Sequence, residues 1–350
     1  MAARQIATST AFAAAFALAA SLGGASLAPA HAADYYAGKT IRILHAGGGR
    51  GSYMLYTRLF AQHFAEHVAG KPTVVADFMS GAGGLNAANY VYNAAPKDGT
   101  VLLMPLPGTA TADLLYGKKA RFDTRKFNWI GHITALQSAV GVWKTAPATT
   151  IAEARKTQVL IGATGPASEL SFVPRLMNAV LGTKFKLIMG YKGLGAVDLA
   201  MENGEVQGRG GAMTAWQPHK PSWFKPVQKI VFLAQLGTTR HPWIPNVPLL
   251  SELAKTKADR EVLDLAARGT VLSRAVAAPP GMPANLVAEL RADFDATIND
   301  PAFIADMKKH KLLMINRLTV PEIGKFLEET HKTPKPVVDR LRQMLSLKKS

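Results

Sequence analysis

The chain of 350 residues contains no cysteine. That excludes disulfides, thiol nucleophiles and cysteine-ligated metals, and leaves stability to an apolar core. Long apolar runs are absent after the first two dozen residues. Nothing later supplies the ~18 apolar residues that a spanning helix needs. Acid is scarce: 24 Asp and Glu stand against 41 Lys and Arg, for a formal net charge of +17. A field of that sign gathers anions. It comes without a basic helix carrying interleaved aromatics. The charges are scattered, densest at Lys308-Lys309-His310-Lys311 and Lys348-Lys349. Nucleic acid is therefore not the expected partner, and a small organic anion fits better.

What is present begins with a leader. Arg4 precedes an Ala-rich apolar run, 11–22, and Ala30-His31-Ala32 offers an A-x-A cleavage site. Residues 1–32 read as a secretory signal cleaved near Ala32, which predicts a soluble periplasmic protein. The remaining length suggests two domains.

One arrangement recurs along that length: an apolar strand, a Gly-rich turn, then a helix. Ile41–Leu44 leads into Gly47-Gly48-Gly49-Arg50-Gly51-Ser52 and a helix over 52–68. Val74–Phe78 leads into Gly81-Ala82-Gly83-Gly84 and a helix over 85–94. A third strand, 101–104, ends at Pro105 and Pro107-Gly108. This is βαβαβ, hence a parallel sheet covered by helices. Strands at 128–131 and 140–143 leave the unit. A second series follows, with strands at 159–163, 185–190 and 230–236 and helices near 169–181 and 194–202. Its first turn is Gly162-Ala163-Thr164-Gly165-Pro166-Ala167-Ser168. After a strand at 274–278, four helices near 284–298, 301–309, 320–331 and 335–346 pack back on the first domain. Glycine lets backbone approach a ligand closely, and free N–H groups at a helix start attract anions. Ligands bind such sheets at the carboxyl ends of the strands.

Competing chemistries lack their residues. The first Gly-rich loop is no P-loop, because no Gly-Lys-Ser/Thr closes it. Ser52 and Ser168 lack a G-x-S-x-G elbow. His63-Phe64-Ala65-Glu66-His67 matches the H-x-x-E-H zinc-peptidase pattern, but it lies at the far end of its helix from the glycine loop. The expectation is no catalytic residue, no metal and no cofactor. Thr164 and Ser168 are expected to cap the helix that follows. Trp216 and Trp223 read as a loop anchor.

Taken in order, several segments carry a family resemblance. They are Tyr53-Met54-Leu55-Tyr56-Thr57-Arg58, Ser80–Gly84, Ala94–Thr100, Phe122-Asp123 with Lys126–Gly131, Gly162–Ser168, Gly190-Tyr191-Lys192-Gly193 and Ala277–Gly281. Together they resemble the substrate-binding receptors of tripartite tricarboxylate transporters, the Bug family. The resemblance implies an α/β, two-lobed periplasmic binding protein of the Venus-flytrap type, each lobe a mostly parallel sheet flanked by helices. Lobe 1 would comprise 33–138 and 274–350, and lobe 2 residues 139–273. It implies capture of a small organic carboxylate (a di- or tricarboxylate or an aromatic carboxylate) by a monomer, for delivery to membrane permease subunits. The same fold signalling to a sensor kinase is the alternative, followed by an exported α/β hydrolase or metallopeptidase. The ligand residues it implies are Gly49, Arg50, Gly51, Ser52 and Tyr53; Gly81, Ala82, Gly83 and Gly84; Thr164, Gly165, Ala167 and Ser168; and Tyr191, Lys192 and Gly193. The family's first loop commonly carries an Asp, and that position is Met54 here. Losing this acid and gaining Arg50 favours an anionic ligand and predicts weak binding of amino acids.

Overall fold

The computed structural model describes residues 35–49, 51–165 and 168–345; the leader, Arg50 and Ala167 lie outside them. The described strands are β1 (Thr40–His45), β2 (Thr73–Phe78), β3 (Val101–Met104), β4 (Asn128–His132), β5 (Ser138–Trp143), β6 (Val159–Gly162), β7 (Phe185–Ile188), β8 (Gly208–Arg209), β9 (Ile230–Leu236) and β10 (Ala275–Ala278). They form two five-stranded sheets, in the orders β2-β1-β3-β10-β4 and β7-β6-β8-β5-β9. In the first, β1 runs parallel to β2 and β3, and β10 is antiparallel to β3 and β4. In the second, β6 is parallel to β7 and β8, and β5 is antiparallel to β8 and β9.

The two sheets share one plan. Each orders its own strands second, first, third, then fourth, with a single antiparallel strand inserted before the fourth. The inserted strand is in each case the one that follows a crossing between sheets. β5 comes directly after the crossing at 133–137, and β10 directly after the crossing at 272–274.

The helices follow from apolar spacing and from their starts. α1 (Ser52–His67) buries Tyr56, Leu59, Phe60 and Phe64 against the first sheet, together with Leu290 and Phe294 of α8 (Ala284–Asn299) and Phe303 of α9 (Pro301–Lys309). α2 (Leu85–Asn93) covers the other face, with Ile323 and Leu327 of α10 (Val320–His331). The second sheet is covered by α5 (Glu169–Leu176), α6 (Leu194–Glu202) and α7 (Lys257–Val271). Short helices α3 (Ala112–Tyr116) and α4 (Ile151–Ala154) complete this set.

Three expectations need correction. Helix α7 was not read from the sequence. Helix α5 ends at Leu176 and runs into a π turn over Met177–Leu181. The helical tail does not pack wholly on the first sheet: α11 (Lys335–Met344) places Val337, Val338 and Leu341 in the core of the second sheet, beside Val262, Leu265 and Ala266 of α7. Its apolar stripe packs against α7 and against Leu115 of α3.

Candidate functional site

The loops at the carboxyl ends of the parallel strands of both sheets face one another. Between them lies a cavity of about 270 Å³. The first sheet contributes Tyr53 of α1, Gly83 of the second glycine turn, and Leu106, Gly108 and Thr111 after β3. The second contributes Ser138 of β5, Glu169 and Phe172 of α5, and Leu236 of β9. α7 closes the floor with Gly269 and Thr270, and α11 one wall with Leu341. Gly269 is small because α7 presses against the β3 loop: a Cβ there would meet Thr111 Oγ1 at 3.3 Å and Gly108 Cα at 3.4 Å. A larger depression of about 660 Å³ lies on the outer face of α2, but it draws no residue from the second sheet and is open to solvent.

The helix starts at these loops share a property. α1, α2, α5 and α6 begin after Gly51, Gly84, Ser168 and Gly193, and none has a side-chain cap. Helices α4, α7, α9 and α10, elsewhere, are capped by Thr150, Thr256, Asp300 and Thr319, while α3, α8 and α11 also start without a side-chain cap. The loop-facing starts therefore keep their N–H groups for water or for an anion. Ser168 stands at the cap position of α5, yet its hydroxyl meets Ser171 Oγ at 3.4 Å instead of a backbone N–H. This corrects the capping expected of it.

The glycine turn after β2 is a backbone device. Gly81, Ala82, Gly83 and Gly84 have φ of 121°, 47°, 65° and 95°. Four successive residues in the positive-φ region turn the chain sharply enough to bring Gly83 to the cavity, a conformation that side chains resist. In the first loop, a Cβ on Gly49 would lie 2.9 Å from the ring of Phe78, so that glycine also serves packing.

A buried arginine stands behind this side. Arg274 sits at the second crossing with φ of 60° and is wholly buried. Its guanidinium carbon lies 4.1 Å from the ring centre of Tyr53 and 4.4 Å from that of Tyr56. Nη2 donates to Ser52 Oγ at 3.1 Å, and Ser52 Oγ in turn lies 3.4 Å from Thr214 Oγ1 beyond the first crossing. Nε and Nη1 have no hydrogen-bond partner among the described residues, and neither has the buried hydroxyl of Tyr53. Burial raises the Tyr53 phenol well above its ordinary range, partly opposed by Arg274. A buried cation with unmet donors and a strained backbone is a candidate for a functional position. Sequence reasoning passed over Arg274 as the first residue of a strand; a lone Arg at a crossing between two apolar stretches was the available signal.

On the facing side Ser138 Oγ donates to Glu169 Oε1 at 2.7 Å. Burial raises the Glu169 carboxyl above its usual range, against the pull of Ser138, Arg274 and Arg209. Glu169 was likewise missed: read alone, it is an acid in a first helical turn.

Of the residues expected at a ligand, Tyr53 and Gly83 line the cavity. Ser52 does not line it; it bonds Arg274 and lies 3.4 Å from Thr214, two residues that line a separate small cavity. Gly49, Gly51, Gly81, Ala82 and Gly84 flank these in the same two loops. Thr164, Gly165 and Ser168 precede Glu169 at the start of α5; Arg50 and Ala167 fall outside the described residues. Tyr191, Lys192 and Gly193 follow β7, the edge strand, and stand away from the cavity; Tyr191 Oη donates to Glu205 Oε2 at 3.3 Å. Met54 is buried in α1.

The two histidines of the H-x-x-E-H stretch are engaged elsewhere. His63 Nε2 lies 2.9 Å from Oδ2 of Asp306 in α9, His67 Nε2 lies 2.9 Å from Oδ2 of Asp300 at the cap of α9, and Glu66 pairs with Lys71 at the surface. Among the described residues, one cluster, Asp113, Asp123 and His331, has ligand atoms close enough to share a cation. Its atoms already serve the fold. Asp113 Oδ2 accepts from Thr124 and contacts His331, and Asp123 holds Arg125 with both oxygens. Trp216 and Trp223 are core residues packed near the buried Arg209.

Comparison with known proteins agrees with this architecture. The model of the family described as tripartite tricarboxylate transporter family receptor matches residues 57–342. Among solved structures, the periplasmic binding protein BugD is 18% identical, with a TM-score of 0.63 over 89% of this chain and 99% of its own. Rpa4515 of R. palustris, solved with adipate, is 19% identical, with a TM-score of 0.61 over 88% of this chain and 97% of its own. MatC of Rhodopseudomonas palustris, solved with malate, is 19% identical, with a TM-score of 0.61 over 88% and 99%. These likenesses establish the two-lobed binding-protein fold. No curated protein matches the chain.

Proposed function

The chain belongs to the tripartite tricarboxylate transporter receptor family, and from that premise we propose that it captures a small organic carboxylate between its lobes and hands it to the membrane subunits of such a transporter. The observation that carries this reading is the cavity of about 270 Å³ enclosed by strand-end loops of both sheets, with uncapped helix starts on either side. We take lobe 1 as 33–138 and 274–350 and lobe 2 as 139–273, with α11 strapped across onto lobe 2. The two crossings then act as the hinge.

The overall positive charge draws the anion towards the opening. Backbone N–H groups of the loops 49–53, 81–84 and 164–168 receive its carboxylate. Tyr53 supplies a hydroxyl, and Arg274 supplies positive potential from behind through Ser52 and the Tyr53 ring. Tyr191, Lys192 and Gly193 form the outer rim on the lobe 2 side. Closure around the ligand brings Ser52 and Thr214 together. We read the protein as a monomer that performs no chemistry, exported to the periplasm with its leader removed near Ala32.

The test is thermal unfolding of residues 33–350 against organic acids, amino acids and sugars. A ligand at 100 times its Kd stabilises by about 2.7 kcal/mol. A shift confined to carboxylates supports the reading, and a shift confined to sugars overturns it.

A further inference from the structure

Glu169 is the sole side chain lining the cavity, among the described residues, that bears a full charge at neutral pH when ionised; the other polar groups there are hydroxyls and backbone. For a receptor of anions this is a conspicuous placement. One carboxylate oxygen, Oε1, is committed to the hydroxyl of Ser138 at 2.7 Å. Oε2 has no hydrogen-bond partner among the described residues.

No cation among the described residues forms an ion pair with this acid. Arg209 is spent on Asp198 Oδ1 at 2.7 Å and on the carbonyl of Ala215 at 2.6 Å. Arg274 donates to Ser52 and makes no hydrogen bond to Glu169. Glu169 is exposed to the open cavity, so water can serve Oε2 while no ligand is bound, and a ligand that displaces this water without a donor of its own leaves the oxygen unserved. The cavity is the open side from which a donor can come.

The cavity therefore has two unlike walls. The lobe 1 wall presents donors: the glycine-turn backbone and the Tyr53 hydroxyl, with Arg274 against the Tyr53 ring. The lobe 2 wall presents an acceptor, Glu169 Oε2. Ser138, the first residue of β5, fixes the carboxyl within the second sheet's own side of the cavity.

We propose that the ligand is a carboxylate that also carries a hydrogen-bond donor, an ammonium or a hydroxyl, and that Glu169 receives this donor while the lobe 1 wall holds the carboxylate. The proposal rests on the carboxylate reading above and narrows it to amino- and hydroxy-carboxylates. It reverses the expectation drawn from Met54 and Arg50. The acid missing from the first loop has a counterpart across the cavity, where no reading of that loop alone would find it.

The experiment is calorimetric titration of the mature chain, 33–350, and of Glu169→Gln with matched sets of acids. The sets are succinate, malate and aspartate; glutarate, 2-hydroxyglutarate and glutamate; adipate and 2-aminoadipate; benzoate and 4-aminobenzoate. The expected result is at least tenfold tighter binding of a substituted member over its parent. E169Q should then lose tenfold or more for the amino member while its affinity for the parent changes less than threefold. Glutamine keeps the shape and offers an N–H in place of the acceptor charge, so this pattern separates a lost acceptor from a lost fold. Equal or tighter binding of the unsubstituted parent overturns the inference and leaves the carboxylate reading standing. So does a substituent preference that E169Q retains. Binding of none of these acids overturns the carboxylate reading and the inference with it. Thermal unfolding of E169Q within a few degrees of the parent chain verifies that the variant is folded.

Discussion

Arg209 in the second sheet and Arg274 at the edge of the first are both wholly buried, yet their surroundings differ in kind. Arg209 has a buried carboxylate partner in Asp198, two backbone carbonyls and the face of Trp216 at 3.7 Å. Arg274 has two tyrosine rings, one serine hydroxyl, and two donor atoms unmet among the described residues. A buried charge that is fully paired belongs to the framework, because removing its partner strands it. A buried charge left partly unpaired retains its field for something else. The two lobes repeat one strand plan, so the plan does not account for this difference. It arises because Arg274 lies at a crossing, where the facing surface belongs to the other lobe and to whatever sits between them.

The largest test of this contrast is Asp198→Ala. Leaving Arg209 buried without its carboxylate should cost about 3–5 kcal/mol in urea unfolding. A loss below 1 kcal/mol would remove the framework role assigned to Arg209. Arg274→Met is the counterpart. It should weaken binding of whichever carboxylate the titrations identify by about tenfold, or ~1.4 kcal/mol, and cost less unfolding free energy than Asp198→Ala. Were it to destabilise as much as Asp198→Ala with unchanged affinity, the two arginines would be equivalent.

The pH dependence sharpens the comparison from another side, since each sheet's side buries a histidine that burial pushes far below its ordinary range. Burial pushes His132 of lobe 1 and His241 of lobe 2 down to about 4. Each Nδ1 accepts a backbone N–H, from Leu318 at 3.0 Å and from Trp243 at 3.2 Å. The folded state therefore takes up a proton less readily than the unfolded chain. Its stability is complete above about pH 6.5 and is lost as pH falls from there towards 4. Between pH 7 and 5 each should cost roughly 1–2 kcal/mol. Urea midpoints at the two pH values, for the parent, His132→Gln and His241→Gln, measure this. A parent midpoint that does not move would show that these rings do not stay neutral in the fold.

Smaller effects probe the latch and the rim. Ser52→Ala removes the link between Arg274 and Thr214 and should weaken ligand binding about fivefold, near 1 kcal/mol. Tyr191→Ala should change affinity less than threefold, because Tyr191 is spent on Glu205 at the edge strand. A larger loss than that of Ser52→Ala would move the working site outward along lobe 2.

The strands and most helices could be read along the chain because their causes are local. Val101–Met104, Ile230–Leu236 and Leu194–Glu202 begin and end at the expected residues. Apolar runs and Gly or Pro breakers act within a few positions. Helix α7 escaped, although Thr256 with Asp259 three residues on is a start signal, because its exposed face is crowded with charge. The first two glycine loops were legible as turns for the same local reason, and Tyr53 and Gly83 came with them. Glu169 and Arg274 were not. They lie in opposite lobes, and each has an ordinary neighbourhood in sequence.

The chain by itself determined the βα units, the turns between them and the excess of positive charge, since these follow from spacing and composition. Only the tertiary structure decided which loops meet, that α11 packs on the core of the second sheet, and that Tyr53 and Glu169 line one cavity. Local pattern fixes where a strand ends. What stands opposite that end depends on two crossings and the core that orients them, and those are sums over residues far apart in the chain.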